Sequence, residues 1–265
     1  MPKITLQDVE DVRALSPRRC CFAQSRWKVS DNGKCSIGLK FDYLGHLFTT
    51  ETGVSLSEGR YGPWASLSDE KQIRAAIKWQ KDRANFVFMR DNLSSSVALD
   101  FNLQEAAVYT KLGQAEHDAK GTKDGTAISF LVDACASAIK SLKLYKDCDS
   151  ICAVPPSPNK SWDLPTELAK RIAVRTGLSD LSGKVAFSKN KASVKALNLA
   201  DKWGALDAGK LVIATTMKGA KIILLDDKYQ SGTTAQFVAS KLYDAGAAEI
   251  HGLFCVKTWR DTDNK

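Results

Sequence analysis

Residues 222–234 constrain the fold more strongly than any other part of the sequence. They read IILLDDKYQSGTT, in which four apolar residues precede two acids and a small polar loop. Four consecutive apolar residues are typical of a strand that is buried on both faces. After the polar loop, residues 234–244 are predicted to form a helix that ends before Gly246. Ligands of open α/β sheets bind at the carboxyl ends of the strands, so Asp226 and Asp227 should lie at the binding edge.

The polar loop after the two acids has the composition of a phosphate-binding site. Backbone N–H groups at the start of a helix, together with hydroxyl groups, bind anions, and a glycine lets the backbone approach a phosphate closely. The predicted phosphate-binding residues are Gln230, Ser231, Gly232, Thr233 and Thr234. The loop matches neither the GxxxxGK[ST] nor the GxGxxG pattern. We therefore expect a ligand with a phosphate at one end and, several ångströms away, hydroxyls or a metal ion, as in ribose 5-phosphate.

Strands alternate with helices in the second half of the chain. Short apolar runs at 150–154, 221–225 and 249–256 predict buried strands, and His251 in the last of them is expected to be a hydrogen-bonded structural residue. A helical stripe of apolar residues marks residues 127–144. This order predicts an α/β fold with a mostly parallel sheet flanked by helices on both faces.

A further helix is predicted from capping signals. Asp163 can cap a helix that begins at Leu164, with Pro165 in its first turn and Gly177 beyond its end. Its apolar surface should be formed by Leu168, Ile172 and Val174.

The first part of the chain has a different pattern. Alternating apolar runs at 22–29, 36–43 and 47–50 predict a small antiparallel meander. A helix over 69–83 should follow, with Ser68 as its N-cap.

Residues 92–98 read as a loop and suggest a domain boundary. We predict an N-terminal α+β region over 1–98 and a second domain over 99–265.

Charge and composition limit the partners and the compartment. The formal charge is +8, and between Lys184 and Lys221 eight lysines stand against two acids, a net +6. Such a stretch attracts nucleic acid or a phosphorylated small molecule, unless it is simply a solvated surface. No apolar run approaches the roughly 20 residues that span a bilayer, and the start of the chain has no apolar signal region. The seven cysteines form no disulfide-like framework. We expect a cytoplasmic protein, with the cysteines in its core and no membrane partner.

Residues 222–234 closely resemble the phosphoribosyl-diphosphate-binding motif of type I phosphoribosyltransferases. In that family four apolar residues precede two acids and a TGxT-like loop; Ser231 stands where the family usually has Thr, and Lys228 where it prefers an apolar residue. The resemblance extends over about residues 100–265. It implies a type I phosphoribosyltransferase-like fold, in which residues 230–234 wrap the 5-phosphate. It also implies that Asp226 and Asp227 contact the ribose hydroxyls, directly or through water and Mg²⁺. Lys228 would neutralise the carboxylates or reach a diphosphate.

A second, less specific match concerns the diphosphate. Residues 153–157 and Lys160 resemble the diphosphate-loop region of the ComF-like (competence protein) branch of the family, which implies that Pro156, Ser157 and Lys160 bind this part of the ligand. Lysines 189, 191 and 195 occupy the stretch where that branch has a mobile basic loop.

Three functions remain open from the sequence. The first is a Mg²⁺-dependent phosphoribosyltransferase, a glycosyltransferase that moves ribose 5-phosphate to a base-like acceptor and releases diphosphate. The second is a catalytically weak or inactive module that senses phosphoribosyl diphosphate or a nucleotide, which Lys228 favours. The third is a ComF-like protein that handles nucleic acid through the stretch between Lys184 and Lys221. The acceptor would be chosen by a hood formed from residues 1–98 or 100–125, and an oligomer is possible.

Overall fold

A computed structural model describes residues 3–14, 20–22, 26–29, 35–38, 42–60, 62–105, 107–190 and 197–259 of the chain. Its helices are α1 (Leu6–Ala14), α2 (Asp42–Thr52), α3 (Glu70–Asp82), α4 (Lys111–Thr122), α5 (Gly125–Ser141), α6 (Lys143–Lys146), α7 (Leu164–Thr176), α8 (Leu199–Ala208) and α9 (Thr233–Asp244). Its strands are β1 (Cys20–Phe22), β2 (Arg26–Val29), β3 (Cys35–Gly38), β4 (Trp64–Leu67), β5 (Val87–Met89), β6 (Ser95–Ala98), β7 (Leu103–Glu105), β8 (Val108–Tyr109), β9 (Ser150–Ala153), β10 (Ser179–Asp180), β11 (Val185–Phe187), β12 (Leu211–Ile213), β13 (Lys221–Tyr229) and β14 (Glu249–Lys257).

A seven-stranded sheet forms the centre of the molecule, in the order β1-β5-β6-β14-β13-β9-β10. From β6 to β10 all neighbouring strands are parallel. Strands β1 and β5 add an antiparallel edge. The predicted mostly parallel sheet is confirmed, with β13 and β14 at its middle.

Helices cover both faces of this sheet. Successive side chains of a strand point to opposite faces. Accordingly, Ile223 and Leu225 of β13 belong to the core cluster that contains the inner residues of α5 and α7. Ile222 and Leu224 belong to the cluster that contains the inner residues of α9. The α/β class predicted from the alternation of elements is therefore confirmed.

The capping signals of α7 are confirmed in detail. The Asp163 side chain accepts a hydrogen bond from the backbone N–H of Thr166 at 3.0 Å, and Gly177 adopts a positive φ of 80° at the other end. Leu168 and Ile172 are fully buried, but Val174 is 87% exposed. The expectation for Val174 is wrong because it lies two residues past Ile172, which places it on the other side of a helix with 3.6 residues per turn.

The N-terminal part differs from its prediction in two places. Strands β2, β3 and β4 form an antiparallel meander, but its third strand is β4 rather than residues 47–50, which lie in α2. Leu47 and Phe48 are both buried there, and Phe48 packs edge-on against Trp79 of α3. Helix α3 is capped by Asp69 rather than Ser68, because the Asp69 carboxylate accepts the Gln72 N–H at 2.9 Å.

Residues 92–98 are not a loop throughout. Ser95–Ala98 forms β6, which is buried along its length and pairs with β14. Its serines suit a buried strand because each finds a polar partner: Ser95 Oγ lies 2.8 Å from His251 Nδ1, and Ser96 Oγ donates to Asp91 at 2.9 Å. The domain division after residue 98 stays a prediction; β1, β5 and β6 on its N-terminal side belong to the central sheet.

The cysteines whose side chains the structure describes are core residues, as expected. Cys135, Cys148, Cys152 and Cys255 are free and buried. Burial raises the pKa of the Cys148 and Cys152 thiols to about 12, so neither is a reactive thiolate at neutral pH. The side chains of the other three lie outside the described part of the chain. Within the ranges above, no helix combines the length and apolar character needed to cross a bilayer.

Candidate functional site

The site begins where β9 stops and β13 continues. Strand β9 ends at Ala153, and Val154 donates one more backbone hydrogen bond, to Leu225 O at 2.8 Å. Pro155 and Pro156 follow and have no N–H to donate, so the ladder ends. Strand β13 runs on to Tyr229, paired only with β14. The carboxylates of Asp226 and Asp227 therefore face a crevice bounded by the loop after β9.

The two acids have different surroundings. Asp226 is half-buried, and its Oδ1 accepts the backbone N–H of Asp227 at 2.9 Å. Asp227 is buried, and its Oδ2 accepts a hydrogen bond from Lys120 Nζ at 2.5 Å. Lys120 lies on α4, more than 100 residues earlier in the chain. The acidic pair is thus joined to a lysine that the sequence analysis did not select.

Helix α4 contributes a second buried charge beside the acids. The Glu116 side chain is 1% exposed, and its Oε2 lies 2.7 Å from Lys228 Nζ. Its Oε1 lies 3.6 Å from Lys120 Nζ and has no hydrogen-bond partner among the described residues. A charge ladder of alternating sign results, and it consists of Asp227, Lys120, Glu116 and Lys228. Lys228 is paired with Glu116, which is the physical reason that a lysine is tolerated at this buried-strand position.

The ladder also affects protonation. Burial acts to lower the pKa of Lys120, but the negative charges of Asp227 and Glu116 outweigh it and leave that pKa above its ordinary value. Lys120 is therefore an ammonium ion throughout the physiological pH range.

The predicted phosphate loop joins β13 to α9. Gly232 has a positive φ of 70°, and a Cβ on it would lie 2.1 Å from the Tyr229 hydroxyl. Tyr229 is buried, and its hydroxyl donates to Asp91 at 3.2 Å. A glycine is thus required at position 232 because of its positive φ and because the Tyr229 hydroxyl leaves no space for a Cβ. These reasons add to its predicted role toward phosphate.

A small cavity opens at this loop, with a volume of about 120 Å³. Gly232 is the N-cap residue of α9 and has no side chain to cap the first-turn N–H groups, so this helix start suits an anion. Ser231 Oγ and Thr233 Oγ1 lie 3.0 Å apart at the loop. All five predicted phosphate-binding residues line the cavity, as do Asp226 and Lys228.

The small cavity also contains a cation from elsewhere in the sequence. Lys202 of α8 is buried and lines it. It belongs to the basic stretch, but nothing in its local sequence distinguishes it from the other lysines there.

A larger cavity, of about 520 Å³, lies between the acids and residues 154–165. Pro156 and Lys160 line it, together with Lys120, Trp162 and both aspartates, and their predicted contact with a diphosphate stays a prediction. Ser157 lines neither cavity, and its buried Oγ has no hydrogen-bond partner in the part of the chain that the structure describes. Its role stays a prediction. Asp226 and Thr234 line both cavities, so the two spaces adjoin at these residues.

The donor set suits Mg²⁺ only in part. No group of three or more His, Cys, Asp or Glu side chains that could hold a metal occurs among the described residues. Mg²⁺ is commonly held by one or two carboxylates together with substrate phosphates and water. Asp226 suits that arrangement, whereas Asp227 already shares its charge with Lys120. The residues therefore fit a Mg²⁺ ion that arrives with a diphosphate rather than one held by the protein alone.

The basic stretch divides between different places in the structure. Lys202 lines the small cavity, whereas Lys221 pairs with Glu249 at 2.7 Å at the opposite end of β13. Lys189 is exposed, and residues 191 and 195 lie outside the described part of the chain. A mobile basic loop over the phosphates and binding of nucleic acid both stay predictions; the latter requires an affinity that falls with salt.

No family model and no curated protein matches the sequence. Among solved structures, the chain is similar to a purine phosphoribosyltransferase from Pyrococcus horikoshii with 16% identity and a TM-score of 0.32, over 49% of this chain and 85% of that one. It is also similar to a hypoxanthine phosphoribosyltransferase from Staphylococcus aureus with 15% identity and a TM-score of 0.31, over 58% and 67% of the two chains. Both likenesses are weak, and the function proposed below rests on the residues of the site.

Proposed function

We propose that the chain is a phosphoribosyltransferase-like protein that binds phosphoribosyl diphosphate or a nucleotide 5′-phosphate. The observation that carries the proposal is the pair of adjoining cavities, which meet at Asp226 and Thr234. One cavity lies at the start of α9, which suits an anion, and the Asp226 carboxylate lines both cavities. A phosphate joined to a hydroxyl-bearing sugar matches this order of groups.

Each part of the ligand has a complementary surface. The 5-phosphate would lie against Gly232 and the start of α9, with Lys202 as its buried counter-charge. The ribose hydroxyls would donate to Asp226. A diphosphate would extend into the larger cavity toward Lys160 and Lys120. Trp162 lines the same cavity, and Lys123 Nζ lies 5.0 Å from the centroid of its ring.

With a base-like acceptor, the expected reaction is transfer of ribose 5-phosphate. The bond from the anomeric carbon to the diphosphate oxygen breaks, and its electron pair leaves with the diphosphate. The acceptor nitrogen forms the new bond, and its proton passes to water or to the departing diphosphate. Asp226 would stabilise the positive charge that develops on the sugar ring. When bound, Mg²⁺ would supply positive charge to the departing diphosphate.

A regulatory module that binds without turnover is the second candidate. Asp227 is already neutralised by Lys120, and Lys160 is the cation that the loop over residues 154–165 contributes to the larger cavity. A site with few cations around the leaving diphosphate favours binding over departure of that group.

The proposal is tested by calorimetric binding of phosphoribosyl diphosphate with Mg²⁺. We expect binding by the wild-type chain and a loss of about tenfold or more in Thr233→Ala and in Asp226→Asn, since hydrogen bonds to charged groups contribute about 1.5–3 kcal/mol. Release of diphosphate with a panel of bases then separates the candidates: turnover supports the transferase, and binding without turnover supports the sensor.

Two surface variants serve as matched controls. Ser129→Ala removes a hydroxyl near the start of α5, and Asp133→Asn removes an exposed carboxylate on the same helix. Both should bind like the wild type. If the wild type does not bind, or if the site variants bind as tightly as these controls, the site assignment is wrong.

A further inference from the structure

Lys120 lies between two buried carboxylates on the wall of the larger cavity. Its Nζ is 2.5 Å from Asp227 Oδ2 and 3.6 Å from Glu116 Oε1. The two acidic side chains are 9% and 1% exposed, whereas that of Lys120 is 52% exposed. One side of the ammonium therefore meets the carboxylates and the other meets the cavity.

The position of Lys120 is fixed by the packing of α4. Gly113 of this helix contacts the chain after β6 so closely that a Cβ would lie 1.9 Å from Asn102 O. Glu116 stands one turn before Lys120, and Lys228 engages the far oxygen of Glu116. The near oxygen, Oε1, lies close to Lys120 and accepts no hydrogen bond from any described residue. The ammonium is thus held in place before any ligand arrives.

The chemistry of this arrangement resembles that of a metal bridge. An ammonium has three N–H donors, and Asp227 takes one of them within hydrogen-bond distance. A ligand oxygen in the cavity can accept another, so one cation would bind a carboxylate and the ligand together. A divalent ion in a sugar-phosphate site joins the same two kinds of oxygen.

We propose that Lys120 is a ligand-binding residue that supplies the cation between Asp227 and the sugar-phosphate, so that ribose 5-phosphate binds without Mg²⁺. The inference rests on the proposed function and deepens it. Any Mg²⁺ requirement then belongs to the diphosphate of the ligand. Loss of Lys120 would leave Asp227 beside Asp226 without its cation, and the pair would need a metal ion in its place.

The test is calorimetric titration of ribose 5-phosphate into the full chain, with either EDTA or Mg²⁺ present. The wild type should bind with similar affinity in both. Lys120→Met should bind about tenfold or more weakly in EDTA, as expected for loss of a charge-assisted hydrogen bond, and should recover affinity in Mg²⁺. Lys120→Arg keeps the charge and should bind in EDTA like the wild type. Lys111→Met removes an exposed lysine from the start of the same helix and should change nothing.

Each outcome of this titration decides either the role of Lys120 or the proposed function. Wild-type binding that disappears in EDTA overturns the role of Lys120 while leaving the proposed function intact, and so does a folded Lys120→Met variant that binds normally in EDTA. If ribose 5-phosphate binds in neither EDTA nor Mg²⁺ while phosphoribosyl diphosphate binds in Mg²⁺, the role of Lys120 is overturned; if neither ligand binds, the proposed function itself is overturned. If thermal unfolding shows that Lys120→Met does not fold, the wild type in EDTA and Lys120→Arg decide the question.

Discussion

Two chains of polar side chains occupy opposite ends of β13 and β14. At the carboxyl end is the charge ladder of Asp227, Lys120, Glu116 and Lys228. At the amino end a hydrogen-bonded network links Lys221, Glu249, His251, Ser95 and Tyr145. Both networks alternate donors with acceptors, and both join elements that are distant in the sequence.

The two networks differ in whether a ligand could reach them from a cavity. The amino-end network contains Ser95, His251 and Glu249 in the order of a nucleophile, a base and an orienting acid, with contacts of 2.8 and 3.1 Å. However, His251 is 1% exposed, and none of these residues lines either cavity. The prediction that His251 is structural is confirmed. The charge ladder, in contrast, lines the cavities through three of its four members. Contact geometry alone does not mark a site; a base also needs a space in which to meet a substrate.

Gly232→Ala should produce the largest difference between the two ends. A left-handed backbone costs an L-residue about 1–2 kcal/mol, and the clash with the buried Tyr229 hydroxyl adds about 1–3 kcal/mol of overpacking. Gly177→Ala is the matched control at the amino edge, since its φ is also positive but a methyl group there would meet no atom within 4 Å. Urea unfolding should show a clearly larger loss for Gly232→Ala, with loss of phosphate binding in that variant alone. Equal losses would show that Tyr229 does not fix this loop.

Lys228→Met should produce the next largest effect. It leaves the Glu116 carboxylate buried without its closest cation, and we expect a loss of about 3 kcal/mol in unfolding free energy, the low end for a buried pair because Lys228 is 30% exposed. Lys221→Met breaks the corresponding pair at the amino end, where both partners are about 40% exposed, and should cost clearly less stability than Lys228→Met.

The double variant Glu116→Gln/Lys228→Met checks the cause of that loss. Because it removes both charges, most of the stability lost in Lys228→Met should return in denaturant unfolding. A double variant as unstable as the single one would mean that Lys228 acts through its packing rather than through its charge.

The smallest effect concerns pH and the amino-end network. Burial lowers the pKa of His251, so below about pH 6.5 the unfolded chain takes up a proton that the folded chain does not. The unfolding free energy should therefore fall as the pH drops from about 7 to about 5. His251→Gln should flatten this dependence, whereas His117→Gln, at an exposed histidine, should leave it unchanged. An unchanged slope in His251→Gln would assign the dependence to other groups. The His251→Gln variant should bind phosphate as tightly as the wild type does.

Local signals predicted the elements that build the site. Four apolar residues followed by two acids located β13, and Asp163 and Gly177 marked the ends of α7, because burial runs and caps depend on near neighbours in the sequence. The position of the loop over 230–234, between β13 and α9, was predictable for the same reason. Its small polar residues and the helix after them form one continuous segment.

The charge ladder was not predictable from these signals. Glu116 and Lys120 are spaced as an ordinary surface pair of a helix, and their partners, Lys228 and Asp227, come from β13, more than 100 residues away. Lys202 was not predicted either, because nothing in its local sequence distinguishes it from the other lysines of the basic stretch. The strand β6 was misread because a run of serines suggests a loop, unless its hydroxyls find buried partners such as His251.

The wall that the two cavities share has a consequence for the kinds of molecule that bind best. Asp226 and Thr234 are the boundary, so occupants of the two spaces stand next to each other. Consider a molecule in which a short, stiff connector joins a phosphate to a second anionic group. The entropy of association is lost only once when such a molecule binds. Its second end then meets its cavity at a high effective concentration. The site should thus hold one bridging ligand far more tightly than the two separate fragments of that ligand.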